Sequence, residues 1–166
     1  HSPYIIGLKE YEYMDWDRKE RPYLVLDYFE SEDMESHIEK QGAFGIERGI
    51  EIAQAIAQGM REAHAVDVIH RDLKPANILY RESKNGFELR IIDFGLAIRG
   101  DKLKEIAKSI KSSGNKSIMD ESFGGTVQYA PPEQMGEEVE GKLWPVGRYS
   151  DVYAYGRTLK KIFFKT

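Results

Sequence analysis

Apolar positions fall into short runs near the start of the chain and into a helical stripe further on. Tyr4-Ile5-Ile6-Gly7-Leu8 and Tyr23-Leu24-Val25-Leu26 are apolar and partly β-branched, which predicts two strands. The stretch between them, Met14 to Pro22, is polar and turn-prone, so the pair is expected to be antiparallel and joined by a longish loop. Ile46, Ile50, Ala53, Ala57, Met60 and His64 recur at steps of four, three, four, three and four, which predicts one long helix with that stripe buried. Ile78-Leu79-Tyr80 and Phe87 to Ile92 flank Ser83-Lys84-Asn85-Gly86, and Asn-Gly is a strong hairpin signal. Residues 96 to 130 read as irregular and rich in Gly, Ser and Lys, with one amphipathic patch at Leu103, Ile106, Ala107 and Ile110. Asp151 to Phe164 reads as the opening turns of an apolar helix.

Composition narrows the class. The chain is 41% hydrophobic and 31% charged, which suits a globular core and argues against a disordered tail. Its 24 basic and 28 acidic residues leave a net charge of −4, so no nucleic-acid partner is expected. No run of 18 apolar residues occurs, and no membrane contact is expected from this segment. There is no cysteine, which removes disulfides and thiolate metal sites. Asp27 to Glu39 carries six carboxylates and no Lys or Arg, and reads as a solvated helix face apart from Asp33. The five lysines between Lys102 and Lys116 are interrupted by Glu105 and read as a solvated loop. His1 and His37 lack partners at metal-ligand spacing, and His64 is expected to be packed and hydrogen-bonded. The chain begins at His1 rather than Met, so it is expected to be a piece of something longer.

Chemistry concentrates in His70-Arg71-Asp72-Leu73-Lys74-Pro75-Ala76-Asn77-Ile78-Leu79 and in Asp93-Phe94-Gly95, which begins sixteen residues after Asn77. Asp72 is a candidate base, and Asn77 and Asp93 offer hard oxygen donors of the kind Mg²⁺ prefers. Lys74 lies close enough in sequence to balance charge on a phosphate. Phosphoryl transfer needs that set: a base near the nucleophile, oxygen ligands for a metal, and cations for the moving charge.

These strings resemble the catalytic loop H-R-D-x-x-x-x-N and the D-F-G of protein kinases. Gly125-Thr126-Val127-Gln128-Tyr129-Ala130-Pro131-Pro132-Glu133 is similar to the end of a kinase activation segment, with Pro131 where the usual A-P-E has Ala. Ser150-Asp151-Val152-Tyr153-Ala154-Tyr155-Gly156 resembles the start of the central C-lobe helix. The four motifs stand in the family's order, so the resemblance covers essentially the whole chain. It implies an incomplete α+β, protein-kinase-like fold. Residues 1–29 would form the end of the N-lobe, with two strands of its sheet, and the hinge. Residues 30–166 would form the mainly helical first half of the C-lobe.

The resemblance also implies roles. Leu26 would be the gatekeeper, the Asp27 carbonyl and Phe29 amide would pair with adenine, Asp33 would approach the ribose, and Leu79 would floor the adenine pocket. The cofactors would be ATP and Mg²⁺, or Mn²⁺ in its place. Lys74-Pro75 and Gly125-Thr126 resemble Ser/Thr kinases, so the partners would be proteins bearing Ser or Thr. Asp72 would accept the hydroxyl proton and Thr126 would hydrogen-bond near it. Arg71 implies activation by a phosphate on the activation segment, with Ser117 and Ser122 as the candidate sites. His70 would pack beneath Phe94 in a hydrophobic spine, and Glu133 would pair with an Arg beyond Thr166. Tyr129 to Gln134 is reminiscent of bacterial eukaryotic-like kinases, which implies a cytoplasmic domain.

A Gly-rich phosphate loop, its partner Lys and the regulatory-helix Glu would lie upstream of His1. These residues alone are therefore expected to bind ATP weakly and to transfer phosphate negligibly. Two other readings stay open: a pseudokinase acting as a scaffold or nucleotide-binding module, and a small-molecule kinase related to aminoglycoside phosphotransferases. Asp93-Phe94-Gly95 and the Gly125 to Glu133 segment speak against the second.

Overall fold

Among the described residues, a two-stranded ribbon leads into a small sheet backed by three helices. The computed structural model describes residues 2–18, 20–94, 98–99, 128–139 and 141–166. Strands β1 (Leu8–Asp15) and β2 (Glu20–Leu26) pair antiparallel, from Leu8 opposite Leu26 to Asp15 opposite Glu20. The expected first strand is therefore displaced. Tyr4 to Ile6 leaves the ribbon and crosses to another sheet, where the Ile91 amide donates to the Tyr4 carbonyl at 2.7 Å and the Ile6 amide to the Ile91 carbonyl at 3.0 Å. The polar Met14–Pro22 stretch, expected as loop, contributes residues to both strands instead.

The chain then forms β3 (Glu32–Asp33) and helix α1 (Met34–Gln41). Asp33 caps α1: one carboxylate oxygen accepts the Ser36 amide at 2.8 Å and the other the Ser36 hydroxyl at 2.7 Å. That satisfies a helix-end donor and is worth about 1 kcal/mol. Met34 and Ile38 turn into the core, and the acidic residues of this segment are at least partly exposed.

Helix α2 (Ile46–Ala65) is the predicted long helix, with its buried face rotated from the predicted stripe. Gly49, Ile52, Ile56, Gly59, Met60 and Ala63 are buried, whereas Ile46 is 75% and Ile50 48% exposed. Two glycines explain the rotation. A Cβ on Gly49 would stand 2.3 Å from the Phe163 ring, and one on Gly59 would stand 2.8 Å from Ile91 and 2.9 Å from Tyr4. The helix packs closest where it has no side chain, which a count of apolar residues overlooks.

After α2 come β4 (Val68–Ile69), a 3-10 turn (Pro75–Asn77), β5 (Ile78–Ser83) and β6 (Gly86–Ile91). The predicted hairpin is present, closing with Ser83 opposite Gly86, and β3 adds to its other edge in the order β3-β5-β6. Alternation sends Ile78, Tyr80, Leu89 and Ile91 into the core. Strand β7 (Ile98–Arg99) pairs with β4, and a second 3-10 turn (Pro132–Met135) precedes the short pair β8 (Glu138–Val139) and β9 (Lys142–Leu143). Helix α3 (Arg148–Phe164) buries Asp151, Ala154, Thr158 and Ile162 against α2 and the turn before β5. The patch at Leu103, Ile106, Ala107 and Ile110 lies outside the described residues.

Candidate active site

The loop between β4 and β5 is short, buried and bent against its preference. Arg71 has φ +70, a left-handed conformation that costs a branched-Cβ-free L residue about 1–2 kcal/mol. Asp151 of α3 holds it there. Its carboxylate is 2% exposed and accepts the His70 amide and the Arg71 amide, each at 2.9 Å. The ring of His64 on α2 lies 2.7 Å from the same carboxylate, so the acid is solvated by protein donors. The Gln134 side-chain amide donates to the Arg71 carbonyl at 2.7 Å, and the Thr158 hydroxyl lies 3.5 Å from the Leu73 carbonyl.

On this base the site residues converge. Lys74 Nζ stands 2.8 Å from Asp72 Oδ2, and the Asn77 side-chain amide donates to the same oxygen at 3.0 Å and to the Asp72 carbonyl at 2.8 Å. Asp72 and Asn77 are buried, and Lys74 is half-buried. The Asn77 carbonyl accepts the Ile92 amide at 2.9 Å, which fixes the residue immediately before Asp93. Asp93 itself has φ +62 and is exposed.

His70 locks the other side of Ile92. The Asp72 amide donates to Nδ1 at 3.2 Å, so the proton is assigned to Nε2, which donates to the Ile92 carbonyl at 3.0 Å. Burial holds the imidazole below its usual pKa, against the opposing pull of Asp151. Its ring centroid lies 4.5 Å from that of Phe94, the packing expected of a spine residue rather than of a catalytic one.

This histidine predicts a pH dependence. Its folded-state pKa is depressed, so on acidification the unfolded chain takes up a proton that the folded chain refuses. Stability is then full above the unfolded value of about 6.5 and falls as pH drops below it, by up to about 1.4 kcal/mol per pH unit from this group. Urea midpoints between pH 7.5 and 5.5 should fall in the parent, and the slope should shrink in His70→Leu. An unchanged slope in that variant would assign the effect to other groups.

The oxygen donors suit a magnesium ion. With its nitrogen turned to Asp72, Asn77 keeps an amide oxygen as acceptor, and Asp93 supplies a carboxylate. One or two such ligands plus phosphate oxygens are what Mg²⁺ takes. Among the described residues no group of three His, Cys, Asp or Glu could hold a metal on its own.

The nucleotide-site candidates are placed more loosely. The Asp27 amide donates to the Gly7 carbonyl at 2.8 Å, and its carboxylate pairs with Lys9 at 3.3 Å. Asp27 and Phe29 line one cleft of about 490 Å³ together with Lys9, Arg81 and Arg90. Leu79 is half-buried and pairs with Asp33 across β5 and β3, while Leu26 ends β2 in an exposed position. A larger cleft of about 940 Å³, between α2 and the β5–β6 hairpin, contains none of the candidate site residues. Thr126, Ser117 and Ser122 lie outside the described residues.

Two supports, Asp151 and Gln134, are not anticipated by the sequence. Asp151 stands in the Ser150 to Gly156 motif with no role implied for it. Its signal was an acid at the head of the Ala154-Thr158-Ile162 stripe, a place that demands donors. Gln134 carried no signal. Glu133, expected to need a distant Arg, is buried and accepts the Ser150 hydroxyl at 2.8 Å on α3.

The strand-loop-strand site on a helical base is the architecture of a protein kinase core. A family model, protein kinase domain, matches residues 1–166, and the chain belongs to that family. Serine/threonine-protein kinase A of Synechocystis is 33% identical over 165 residues, covering 93% of this chain and 27% of that protein. Serine/threonine-protein kinase PknB of Mycolicibacterium smegmatis is 33% identical over 142 residues, covering 85% of this chain and 20% of that protein. Among solved structures, Rad53 in complex with AMP-PNP superposes with a TM-score of 0.68 at 25% identity, over all of this chain and 35% of that one. The chain thus spans about a quarter of the length of these curated relatives. No helix among the described residues is long and apolar enough to cross a membrane.

Proposed function

We propose that the protein transfers the γ-phosphoryl group of ATP to Ser or Thr hydroxyls of protein substrates, as a cytoplasmic kinase. The observation that carries this reading is the convergence of Lys74 and Asn77 on the Asp72 carboxylate, with Asp93 tethered through Ile92 to Asn77. Asp72 orients the substrate hydroxyl and takes its proton late, as the oxygen–phosphorus bond forms and the bond to ADP breaks. Lys74 balances charge on the phosphoryl oxygens, and Thr126 hydrogen-bonds near the base. Asn77 and Asp93 hold the Mg²⁺, which supplies charge neutralisation on the phosphates. Asp27 and Phe29 offer a backbone carbonyl and amide to adenine, Leu26 and Leu79 bound the pocket, and Asp33 approaches the ribose while capping α1. A phosphate on Ser117 or Ser122 pairs with Arg71 and orders the activation segment.

The names of the relatives support the choice of Ser/Thr over Tyr. The test uses the full-length protein with γ-labelled ATP, Mg²⁺ and a basic protein substrate. Label is expected on phosphoserine or phosphothreonine after acid hydrolysis. Label confined to phosphotyrosine would overturn the substrate class. Tight nucleotide binding without transfer would favour the pseudokinase reading.

A further inference from the structure

The outer face of the β5–β6 hairpin carries an arrangement that none of the roles above uses. Register places Leu79 opposite Arg90 and Arg81 opposite Glu88, so these four side chains share the face turned away from the core. Both arginines lie against the ring of Phe29. The Arg81 guanidinium lies 4.4 Å from the ring centroid and the Arg90 guanidinium 4.8 Å. Two like charges this close need an anion, and Glu88 supplies it, 2.8 Å from Arg81 and 3.9 Å from Arg90. Each arginine also grips backbone on the near side. Arg81 donates to the Glu30 carbonyl at 3.3 Å, and Arg90 donates to the Pro3 carbonyl.

We infer that Arg81 and Arg90, set by Glu88, are positioning residues that clamp Phe29 and thereby pre-orient its backbone amide for the adenine ring. The inference rests on the proposed reading of Asp27 to Phe29 as the adenine-pairing segment. Its physical basis is that a chain crossing between two parts of a fold has few neighbours to fix its peptide planes. Here a side chain anchored by two guanidinium groups fixes one of them. Leu79 and the clamp stand on the same rigid hairpin, so the pocket floor and the recognising amide share one frame. A preset amide avoids ordering the segment on binding, a gain that appears in affinity rather than in the chemical step.

The test is kinetic, on the full-length protein. Arg81→Ala/Arg90→Ala is expected to raise KM for ATP about tenfold, the combined worth of two partly exposed cation–π contacts, with kcat within about twofold of the parent. With an ATP analogue in which adenine N1 is replaced by CH, the parent should bind more weakly. The double variant should then change KM by less than about twofold, because the amide no longer has its acceptor. Arg81→Lys/Arg90→Lys keeps two cations against the ring and should recover most of the ATP KM. An unchanged KM for ATP in the alanine variant would overturn the clamp, as would KM, kcat and thermal midpoint all moving together. Equal KM values for ATP and the analogue in the parent would overturn the adenine reading itself, and the clamp's role in binding with it. Should the double alanine variant fail to fold, Glu88→Gln carries the same test, with a rise in KM for ATP of about threefold expected and no rise counting against the clamp.

Discussion

Asp72→Asn is expected to lower kcat about a thousandfold while leaving the thermal midpoint within a few degrees of the parent. The substitution keeps the side chain's size and planarity in a buried position. Leu73, Ile78 and His70 around the loop remain packed as before. What disappears is the proton acceptor proposed for the substrate hydroxyl, together with the charge that Lys74 meets at 2.8 Å. Positioning by a well-placed base contributes about 10² to 10⁴ in rate, so the middle of that range is the expected loss. Incorporation of labelled phosphate measures it, and far-UV circular dichroism with a melting curve checks the fold. A variant retaining more than about a tenth of the parent rate would mean that Asp72 is not the base. An unfolded variant would say only that the Lys74 ion pair is structural, and Lys74→Met would then separate charge from fold.

The parts of this site that were legible from sequence are those in which chemistry is written locally. Asp72, Lys74 and Asn77 lie within six residues of one another, and their convergence needs only a tight turn, which Pro75 at the head of the 3-10 turn favours. The hairpin was legible for the same reason, since a turn and two alternating strands are short-range features. What was illegible is set by distant partners. The rotation of the α2 face depends on Phe163, which is more than a hundred residues from Gly49, and on Tyr4 against Gly59. Glycine reads as neutral in any apolar count, although close packing needs it there. The misplaced first strand has a related cause. Tyr4 to Leu8 is the more apolar run, but Tyr4 and Ile6 give their backbone groups to Ile91, and β1 is built from the polar-alternating segment after it. Apolar character marked neither the burial nor the pairing partner, since Tyr4 to Gly7 are half-buried and Leu8 is 58% exposed.

Asp33 stands apart from the acids around it. Its run of acids read as a solvated helix face, and that is broadly where the neighbouring carboxylates sit. Asp33 itself is fixed as the cap of α1 by Ser36, and it pairs with Leu79 through the β3–β5 ladder. A cap of this kind holds the start of α1 at the edge of the candidate nucleotide site.

Asp151→Ala should cost more stability than any change to a residue at the reacting atoms, because it removes the frame on which they stand. The carboxylate satisfies two backbone amides of the 70–79 loop and faces the ring of His64. Leaving buried donors without an acceptor costs about 1–3 kcal/mol for each, and the left-handed Arg71 would lose the contact that offsets its strain. A total of about 3–5 kcal/mol is a large share of the stability of an ordinary domain. The thermal midpoint should therefore fall by about 10 °C or more. Asp151→Asn is the sharper test of mechanism. It keeps the shape and one acceptor oxygen but points an NH₂ group at donors, so one loop amide loses its partner. Asp72 follows Arg71 directly, and a displacement of about 1 Å at the reacting atoms costs about a hundredfold in rate. The expected result is a loss of that size at a temperature where the variant is still folded, with faster hydrogen exchange at the His70 and Arg71 amides. Normal protection of those two amides with a lowered rate would place the defect elsewhere in the site. Full activity in Asp151→Asn would show that Gln134 and the packing of Leu73 hold the loop without the acid.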